Sequence, residues 1–323
     1  MSLALSLLIL SQAAPALPPT EIVRPQVVQP LPGHLDAVPT FNSNSPELVG
    51  TEGILLSTFP GDGRADPSAH LNFPLSGRFD VFAHHIFRAE SPDDAAPLYL
   101  GVILQNPGEQ TVTVDVLEAA SYLSQPDAPF ISLPAYVDNA SGDVYSGPGS
   151  RAMSDVLRGR RQAEFPAQIV IPPGEYRMLM NLPIPVEGLD PLVNGRSSLI
   201  RLRSDGVVYA ASLALRSRST PDGGDRPPSL EEWQSLLQTG TLSQPRDRVP
   251  TPPDQAPELP IIYGRVAGVS QGALWQARLT DSADSAELTI PAPGAVLSYG
   301  LSTLIGGRLG TGQVQTAPML VRY

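Results

Sequence analysis

Residues 97–118 read PLYLGVILQNPGEQTVTVDVLE, and this stretch decides the fold class. Its first part, 97–105, is almost continuously apolar. Its second part, 111–118, alternates, with a valine at every second position from 112 to 116. A period of two is typical of a strand in a sheet that has one wet face. Because the intervening NPG at 106–108 has strong turn chemistry, we predict two strands joined as a hairpin.

Similar patterns recur along the chain, and 36 prolines and 28 glycines supply frequent breaks between them. The turn sequences PPG at 172–174 and SDG at 204–206 predict two more hairpins. Eight short strands at this spacing favour a mostly β fold, an antiparallel β-sandwich of the immunoglobulin-like or jelly-roll-like kind. The strands are predicted at 53–59, 79–88, 97–105, 111–118, 167–171, 177–183, 197–203 and 206–216.

The N-terminus has the pattern of an export signal. An apolar run is followed by Ala14 and Ala16 in the small-x-small order of a signal peptidase site, so residues 1–16 are predicted to be a signal peptide. The run is far shorter than the roughly 20 apolar residues that span a bilayer. We therefore expect an exported protein without a transmembrane segment after signal cleavage.

The mature chain is predicted to have three parts. Residues 17–218 contain the β-sandwich domain, and residues 219–259 form a linker rich in proline, glycine and charge. Residues 260–323 form a second, smaller β-rich block. Because that block ends inside a strand-like pattern, we expect it to be truncated at its C-terminus.

A helix is predicted at 229–239, inside the linker. Ser229 and Glu232 have the spacing of a capping box, and Gly240 marks the end of the helix. A helix of about ten residues is not stable alone in water. We therefore expect its apolar stripe, centred on Trp233, to be buried against a sheet.

Composition excludes several classes of chemistry. The chain has no cysteine and no lysine, because all 21 basic residues are arginine. A P-loop lysine, a Schiff base, a cysteine nucleophile, a zinc ribbon and a disulfide are therefore excluded. A net charge of −11 and an isoelectric point near 4.8 argue against nucleic acid as a partner.

The four histidines all lie within the first 85 residues, close to several aspartates, which raises the question of a metal site. His84 and His85 are neighbours in a predicted strand and therefore point to opposite faces. No histidine spacing typical of a zinc or iron site occurs. We predict no cofactor and no transition-metal site. The loop at 61–66 is either a plain turn, which is favoured, or a calcium site. The weak metal candidates are His70, His84, His85, Asp62 and Asp66.

Four arginines within eleven positions form the densest basic cluster. A short helix at 151–158, capped by Ser150, is predicted to carry part of it. The cluster either binds an acidic polysaccharide or a phosphate group, or pairs with local carboxylates such as Asp155 and Glu164, and the second reading is favoured. The candidate binding residues are Arg151, Arg158, Arg160 and Arg161.

Five stretches of the chain together resemble a known family. The resemblance lies in FNSNSPELVGTEGILLSTFPG, PSAHLNFPLSGRFDVFAHH, SDVLRGRRQAEFPAQIVIPPGEYRMLMNLPIPV, SLEEWQSLLQTG and IIYGRVAGVSQGALWQARLTDS. They are similar to a cyanobacterial family of exported proteins, the domain of unknown function numbered 3370, over nearly the whole mature chain. The resemblance implies an exported protein of a photosynthetic bacterium with two membranes, and therefore a location in the periplasm or at the outer-membrane surface. It brings no assigned activity and no catalytic residue.

Two functions remain open from the sequence. The first is a non-enzymatic envelope protein that binds or scaffolds surface polysaccharide or protein. The alternative is a carbohydrate-active or other hydrolase with an unrecognised acidic or histidine site. No Gly-x-Ser-x-Gly elbow occurs, and 32 acidic residues single out no catalytic pair. The sequence therefore favours the binding module and leaves any catalytic residue unknown.

Overall fold

The computed structural model describes residues 34–133, 139, 141–248, 265–272 and 275–276. Its strands are β1 (His34–Leu35), β2 (Pro39–Ser43), β3 (Gly53–Ser57), β4 (Leu75–Arg88), β5 (Leu98–Gln105), β6 (Val112–Leu123), β7 (Gln168–Ile171), β8 (Tyr176–Ile184), β9 (Val193–Arg216), β10 (Arg218–Ser219), β11 (Asp225–Arg226), β12 (Ala267–Gln271) and β13 (Trp275–Gln276). The α-helices are α1 (Pro148–Leu157) and α2 (Leu230–Thr239), and 3-10 turns lie at Pro67–Ala69 and Pro92–Asp94.

Strand β9 belongs to two layers. Its first half pairs with β4 and β6, and its second half pairs with β3 and β5. The first layer has the order β12-β2-β4-β9-β6-β7, and the second has the order β3-β9-β5-β8. Two separate pairs, β1 with β13 and β10 with β11, form small ribbons. The segments predicted as strands 197–203 and 206–216 are thus one continuous strand.

The mostly β sandwich predicted from the sequence is confirmed, with one departure from an antiparallel arrangement. Strand β2 pairs with β4 in parallel, whereas the other strand pairs described are antiparallel. The reason is the path of the chain. It leaves β2, crosses to the second layer for β3, and returns to the first layer for β4, so that β2 and β4 run in the same direction.

The three predicted hairpins are wrong. Residues 106–108 connect β5 in the second layer to β6 in the first, and residues 172–174 connect β7 in the first layer to β8 in the second. Residues 204–206 lie inside β9, where it crosses between the layers. The fully buried Asn106 joins two of these corners: its Nδ2 donates to Ile171 O at 2.9 Å, and its own carbonyl accepts from Gly174 N at 2.9 Å.

The main apolar core lies between the two layers. Inward-facing side chains of alternate positions on both layers meet there, as expected for a sandwich. Smaller apolar clusters lie on the outer faces, where α1 covers the first layer and α2 covers the second. The central contributors from the first layer are Phe41, Phe79, Val81, Val114 and Ile200, and those from the second are Leu55, Val102, Leu104, Leu179 and Ala210.

Two predictions for helix α2 are confirmed: its N-terminus has a capping box, and its tryptophan is buried. Ser229 Oγ accepts from Glu232 N at 3.3 Å, and Glu232 Oε2 accepts from Ser229 N at 2.7 Å. The Trp233 side chain is 0% exposed. Its ring lies directly over Gly101 of β5, where a β-carbon would come within 2.7 Å of the ring. The glycine therefore makes the room that the tryptophan occupies.

Helix α1 begins earlier than predicted. The sequence placed its cap at Ser150, but the helix starts at Pro148 after Gly147. Proline suits the first helical position because it has no N–H to leave unsatisfied. The buried Ala152 and Val156 of α1 pack against Ala120 and Leu199 of the first layer.

The described part of the predicted C-terminal block joins the first layer. Strand β12 pairs with β2 from Ala267 opposite Ser43 to Gln271 opposite Pro39. The part of the predicted β-rich block beyond residue 276 lies outside the described residues, as do residues 1–33 with the predicted signal peptide. Among the residues that the structure describes, no helix has the length and apolarity needed to cross a membrane.

The contact of Trp233 with Gly101 predicts non-additive mutations. Trp233→Ala should lower the free energy of unfolding by about 3 kcal/mol, because it leaves a cavity under α2. Gly101→Ala alone should cost about 1–3 kcal/mol by overpacking. In the Trp233→Ala background, Gly101→Ala should cost much less, since its new methyl group then enters the cavity. Urea unfolding of the four proteins measures this double-mutant cycle, and strictly additive losses would contradict the contact.

Candidate functional site

Each histidine side chain that the structure describes is hydrogen-bonded to a serine hydroxyl. The three Ser–His pairs lie in different places: one between the layers, one in the loop after β3, and one on the outer face of the first layer. They are Ser43 with His85 (2.9 Å), Ser57 with His70 (2.7 Å), and Ser197 with His84 (2.8 Å).

The Ser43–His85 pair connects the two layers. The Pro46 carbonyl accepts from His85 Nδ1 at 2.8 Å, and His85 Nε2 lies 2.9 Å from Ser43 Oγ. Ser43 Oγ lies 3.0 Å from Ser212 Oγ on the second layer. Burial lowers the pKa of His85 from 6.5 to about 3, which keeps the ring neutral. This pair is therefore an internal polar link.

The loop that contains the calcium and metal candidates is organised by its own hydrogen bonds. Asp66 Oδ1 accepts from Ser68 N at 3.2 Å and from Ser68 Oγ at 2.6 Å, which caps the 3-10 turn and lowers the pKa of the carboxyl group. His70 is buried on Ser57, and burial lowers its pKa to about 4. Asp62 is exposed. Within the described residues no group of three or more potential metal ligands comes together.

The third pair is part of a longer chain of polar groups. His84 and Ser197 are directly opposite each other on β4 and β9. Glu47 Oε1 lies 3.3 Å from His84 Nε2 and 2.7 Å from the Arg265 guanidinium. The His84 hydrogen bond, and then Arg265, hold the pKa of Glu47 below its usual value. Since the carboxylate can only accept, His84 Nε2 is the donor in its contact with Glu47.

A serine, a histidine and a carboxylate in series are the components of a catalytic triad. However, the serines are too inaccessible to act as nucleophiles. In each of the three pairs the serine is almost inaccessible: Ser43 and Ser57 are 0% exposed and Ser197 is 2% exposed. Moreover, Ser197 contacts Nδ1, whereas the general base of the serine hydrolase triad uses Nε2. The geometry therefore supports structural hydrogen bonds more strongly than catalysis.

The four candidate arginines all contact groups of the protein around α1. Arg151 donates to Asp127 O, Arg158 to Asn139 O, Arg160 to Asp155 Oδ1 and Ser141 O, and Arg161 to Phe165 O. The Arg151 guanidinium also lies between two rings, 4.1 Å from the Tyr122 centroid and 4.8 Å from the Tyr145 centroid. These contacts hold the loops before and after α1 in place.

An exposed apolar stretch lies beside the N-terminus of α1. Phe130 is 74% exposed and Ile131 is 53% exposed, and Leu133 is also exposed. We call residues 130–133 the apolar segment. Ser146 holds its backbone, because Ser146 Oγ accepts from Ile131 N at 3.0 Å and donates to Ile131 O at 2.7 Å. The Phe130 ring lies over Gly147, where a β-carbon would collide with it.

A buried arginine crosses between the layers near the far end of β8. Arg196 of β9 donates through Nε and Nη2 to Pro183 O at 2.9 and 2.8 Å, and through Nη1 to Ser121 Oγ at 3.0 Å. Burial lowers its pKa to about 10, against the raising effect of Asp127 and Glu164. The group remains a cation at neutral pH, held by neutral acceptors.

A groove of about 200 Å³ lies along β8. Residues 178–182 of β8 form one side, and residues 164–166, just before β7, form the other. Asn181 also lines the groove, and its Nδ2 donates to Pro228 O, just before α2. Its buried Oδ1 has no hydrogen-bond donor among the described residues. We call this space the β8 groove.

Sequence reasoning missed the β8 groove, the apolar segment and the crossing arginine. The run FIS at 130–132 offered a signal, because three residues in an aspartate- and proline-rich stretch include two large apolar side chains. The groove and the position of Arg196 depend on which strands lie at the edge of each layer. No local pattern reports that property.

The buried histidines predict acid sensitivity. His85 and His70 take up protons near pH 6.5 when unfolded, but only near pH 3 and 4 when folded. Between these values the unfolded chain binds more protons, so stability is full above about pH 6.5 and falls as the pH decreases. Urea unfolding of His85→Gln should show a pH slope that is flatter by about one proton.

The matched control is Val81→Ala, which truncates a core side chain of the same strand and removes no titrating group. It should lower stability without changing the pH slope. An unchanged slope in His85→Gln would contradict the buried neutral ring.

Comparison with known proteins gives one match. The family model described as a protein of unknown function (DUF3370) matches residues 26–323, which is most of the chain. No match appears among curated proteins or among solved structures. The extent of the match covers both layers, both helices and the β8 groove. The chain therefore belongs to the DUF3370 family of proteins of unknown function.

Proposed function

We propose that this protein is a non-enzymatic binding or structural module of the cell envelope, exported by a cyanobacterium, which contacts surface protein or polysaccharide. The apolar segment is the observation that carries this proposal. Phe130 and Ile131 are adjacent, largely exposed, and held in place by backbone contacts rather than by burial. Contiguous exposed apolar side chains on a folded surface are typical of contact sites.

The charge distribution supports the same proposal. The arginines that could have bound an anionic polymer are used inside the protein, and the net charge of −11 disfavours acidic ligands. The contact is therefore expected to be apolar at its centre, with protein favoured over acidic polysaccharide. The proposal includes no cofactor, although Asp62 leaves room for weak calcium binding in its loop.

A hydrolase remains the second candidate, because of the Ser197–His84–Glu47 series. The Ser197–His84 distance of 2.8 Å suits a nucleophile and its base, and the His84–Glu47 distance of 3.3 Å is slightly longer than that of a typical base and its orienting acid. Turnover of chromogenic esters that disappears in both Ser197→Ala and His84→Ala would favour this candidate. Absence of turnover in the wild-type protein would favour the binding module.

Export predicts a defined N-terminus. Protein recovered from the envelope fraction of its host should begin at Leu17, because signal peptidase is expected to cut after Ala16. Edman sequencing of that material measures the start directly. An intact Met1 on cytoplasmic protein, with none in the envelope, would contradict the export part of the proposal.

Polar substitutions in the apolar segment are predicted to abolish binding to the envelope. Purified protein should co-sediment with isolated cell-wall sacculi that retain their proteins, and the double variant Phe130→Ser with Ile131→Ser should be lost from the pellet. Val207→Ser is the matched control, since Val207 is another exposed apolar side chain at 43%. Sacculi stripped of protein distinguish the two ligands: retention there identifies polymer, and loss there identifies a protein.

The opposite results would contradict the proposal. Wild-type protein that stays in the supernatant with both kinds of sacculi has no envelope ligand. Equal retention of the double variant and the wild type would remove the apolar segment from the binding role.

A further inference from the structure

The open edge of the second layer is the starting point. Strand β8 pairs with β5 along one edge, and within the described residues no strand pairs with its other edge. Such an edge presents unpaired N–H and C=O groups and is a template for another extended chain. The β8 groove lies along this edge.

The open stretch has limits at both ends. At one end the corner at 172–174 brings β7 next to the start of β8. At the other end Pro183 lacks an N–H, and its carbonyl is taken by Arg196. Residues 178–182 remain between these limits, and the pairing of β8 with β5 is irregular at one point of this stretch, where Leu179 is an extra residue between Met178 and Met180. At about 3.3 Å per residue this stretch matches an extended peptide of about five residues.

The size of the groove decides between ligand classes. Sites for whole small molecules usually measure about 300–1,000 Å³. The β8 groove measures about 200 Å³ and has the open form of a channel beside a strand. It therefore suits one or two side chains of a longer chain rather than an entire metabolite.

The lining defines the chemistry of that chain. The apolar lining comes from both faces of β8: Met178 packs against the cluster under α2, and Leu182 packs against the main core. Methionine adapts its shape to varied partners. Asn181 Oδ1 is a buried acceptor that lacks a donor within the described residues. Glu164 is exposed at the groove, and it forms no ion pair with any residue in the described ranges.

Two guanidinium groups lie near Glu164, and both donate to backbone carbonyls; the charge of Glu164 raises the pKa of one of them, Arg196. Arg161 donates to Phe165 O, and Arg196 is buried on Pro183 O. The exposed carboxylate and the net charge of −11 therefore favour a cationic residue on the ligand.

We propose that the β8 edge binds an extended segment of a partner protein by β-strand addition, with an aliphatic side chain in the β8 groove and a lysine or arginine next to Glu164. Strand addition uses backbone hydrogen bonds for affinity and pockets for alternate side chains for specificity. The inference rests on the proposed binding function and names its partner class. It uses a surface separate in sequence from the apolar segment.

The test uses a fluorescein-labelled peptide of about seven residues in which valine and lysine alternate, with binding to the full chain followed by fluorescence anisotropy. Two matched peptides isolate the contributions. In one, every lysine is replaced by glutamate. In the other, alternate backbone nitrogens are methylated, which removes the donors needed for strand pairing. The methylated peptide should bind at least about tenfold more weakly, and the glutamate peptide should also bind more weakly.

Variants locate the site. Glu164→Gln should weaken the lysine peptide about two- to fivefold, as expected for an exposed ion pair, and should leave the glutamate peptide no weaker. Glu187→Gln, another exposed glutamate, is the matched control and should change nothing. Met178→Asp places a charge in the groove and should abolish binding. Hydrogen exchange should show new protection at residues 178–182 when the peptide is bound.

Three results would overturn the inference: no anisotropy change at the highest soluble peptide concentration, equal binding of the methylated peptide, or protection outside residues 178–182. None of them affects the sacculus result with the apolar segment. Envelope binding that depends on Phe130 and Ile131, together with no peptide binding at β8, would leave the proposed function intact and reject strand addition.

Discussion

Strand β9 is the constraint on which the rest of the structure depends. A straight strand of 24 residues would be about 80 Å long, much longer than its partners. It bends near Ser204, whose Oγ donates to Gly206 O at 2.7 Å. Gly206 is required at the bend, because a β-carbon there would lie 2.5 Å from a methyl group of Val112. Both layers are thereby aligned by one piece of backbone.

Polar links between the layers complement that alignment. Ser43, His85 and Ser212 connect β2 and β4 to the second half of β9, and Arg196 connects the first half of β9 to β8. Apolar packing fills the space between layers but does not by itself select one lateral position. Buried hydrogen bonds do, because a shift of the layers would leave their donors and acceptors without partners. Since the chain has no cysteine, no disulfide supplements these hydrogen bonds.

The sequence predicts those features that are local. Alternating valines identify β6, and the capping box with Trp233 identifies α2 and its buried face. The hairpins failed because NPG and PPG specify a change of direction and not the identity of the next pairing partner. The predicted start of α1 was wrong because Pro148 and Ser150, which lie within three residues of each other, both suit the beginning of a helix. The Ser–His pairs join positions up to 113 residues apart, which no spacing in the sequence reveals.

The position of β9 in the chain has a consequence for how the protein matures. Both layers lack their central strand until residues 193–216 are available, so the preceding segments, β2 to β8, cannot complete either layer. Contacts between residues so distant in sequence form slowly. A chain synthesised from its N-terminus therefore remains open for most of its length. If the N-terminal segment is an export signal, this delay keeps the polypeptide unfolded while it passes through a translocation channel. The sandwich then folds after the chain has crossed the membrane.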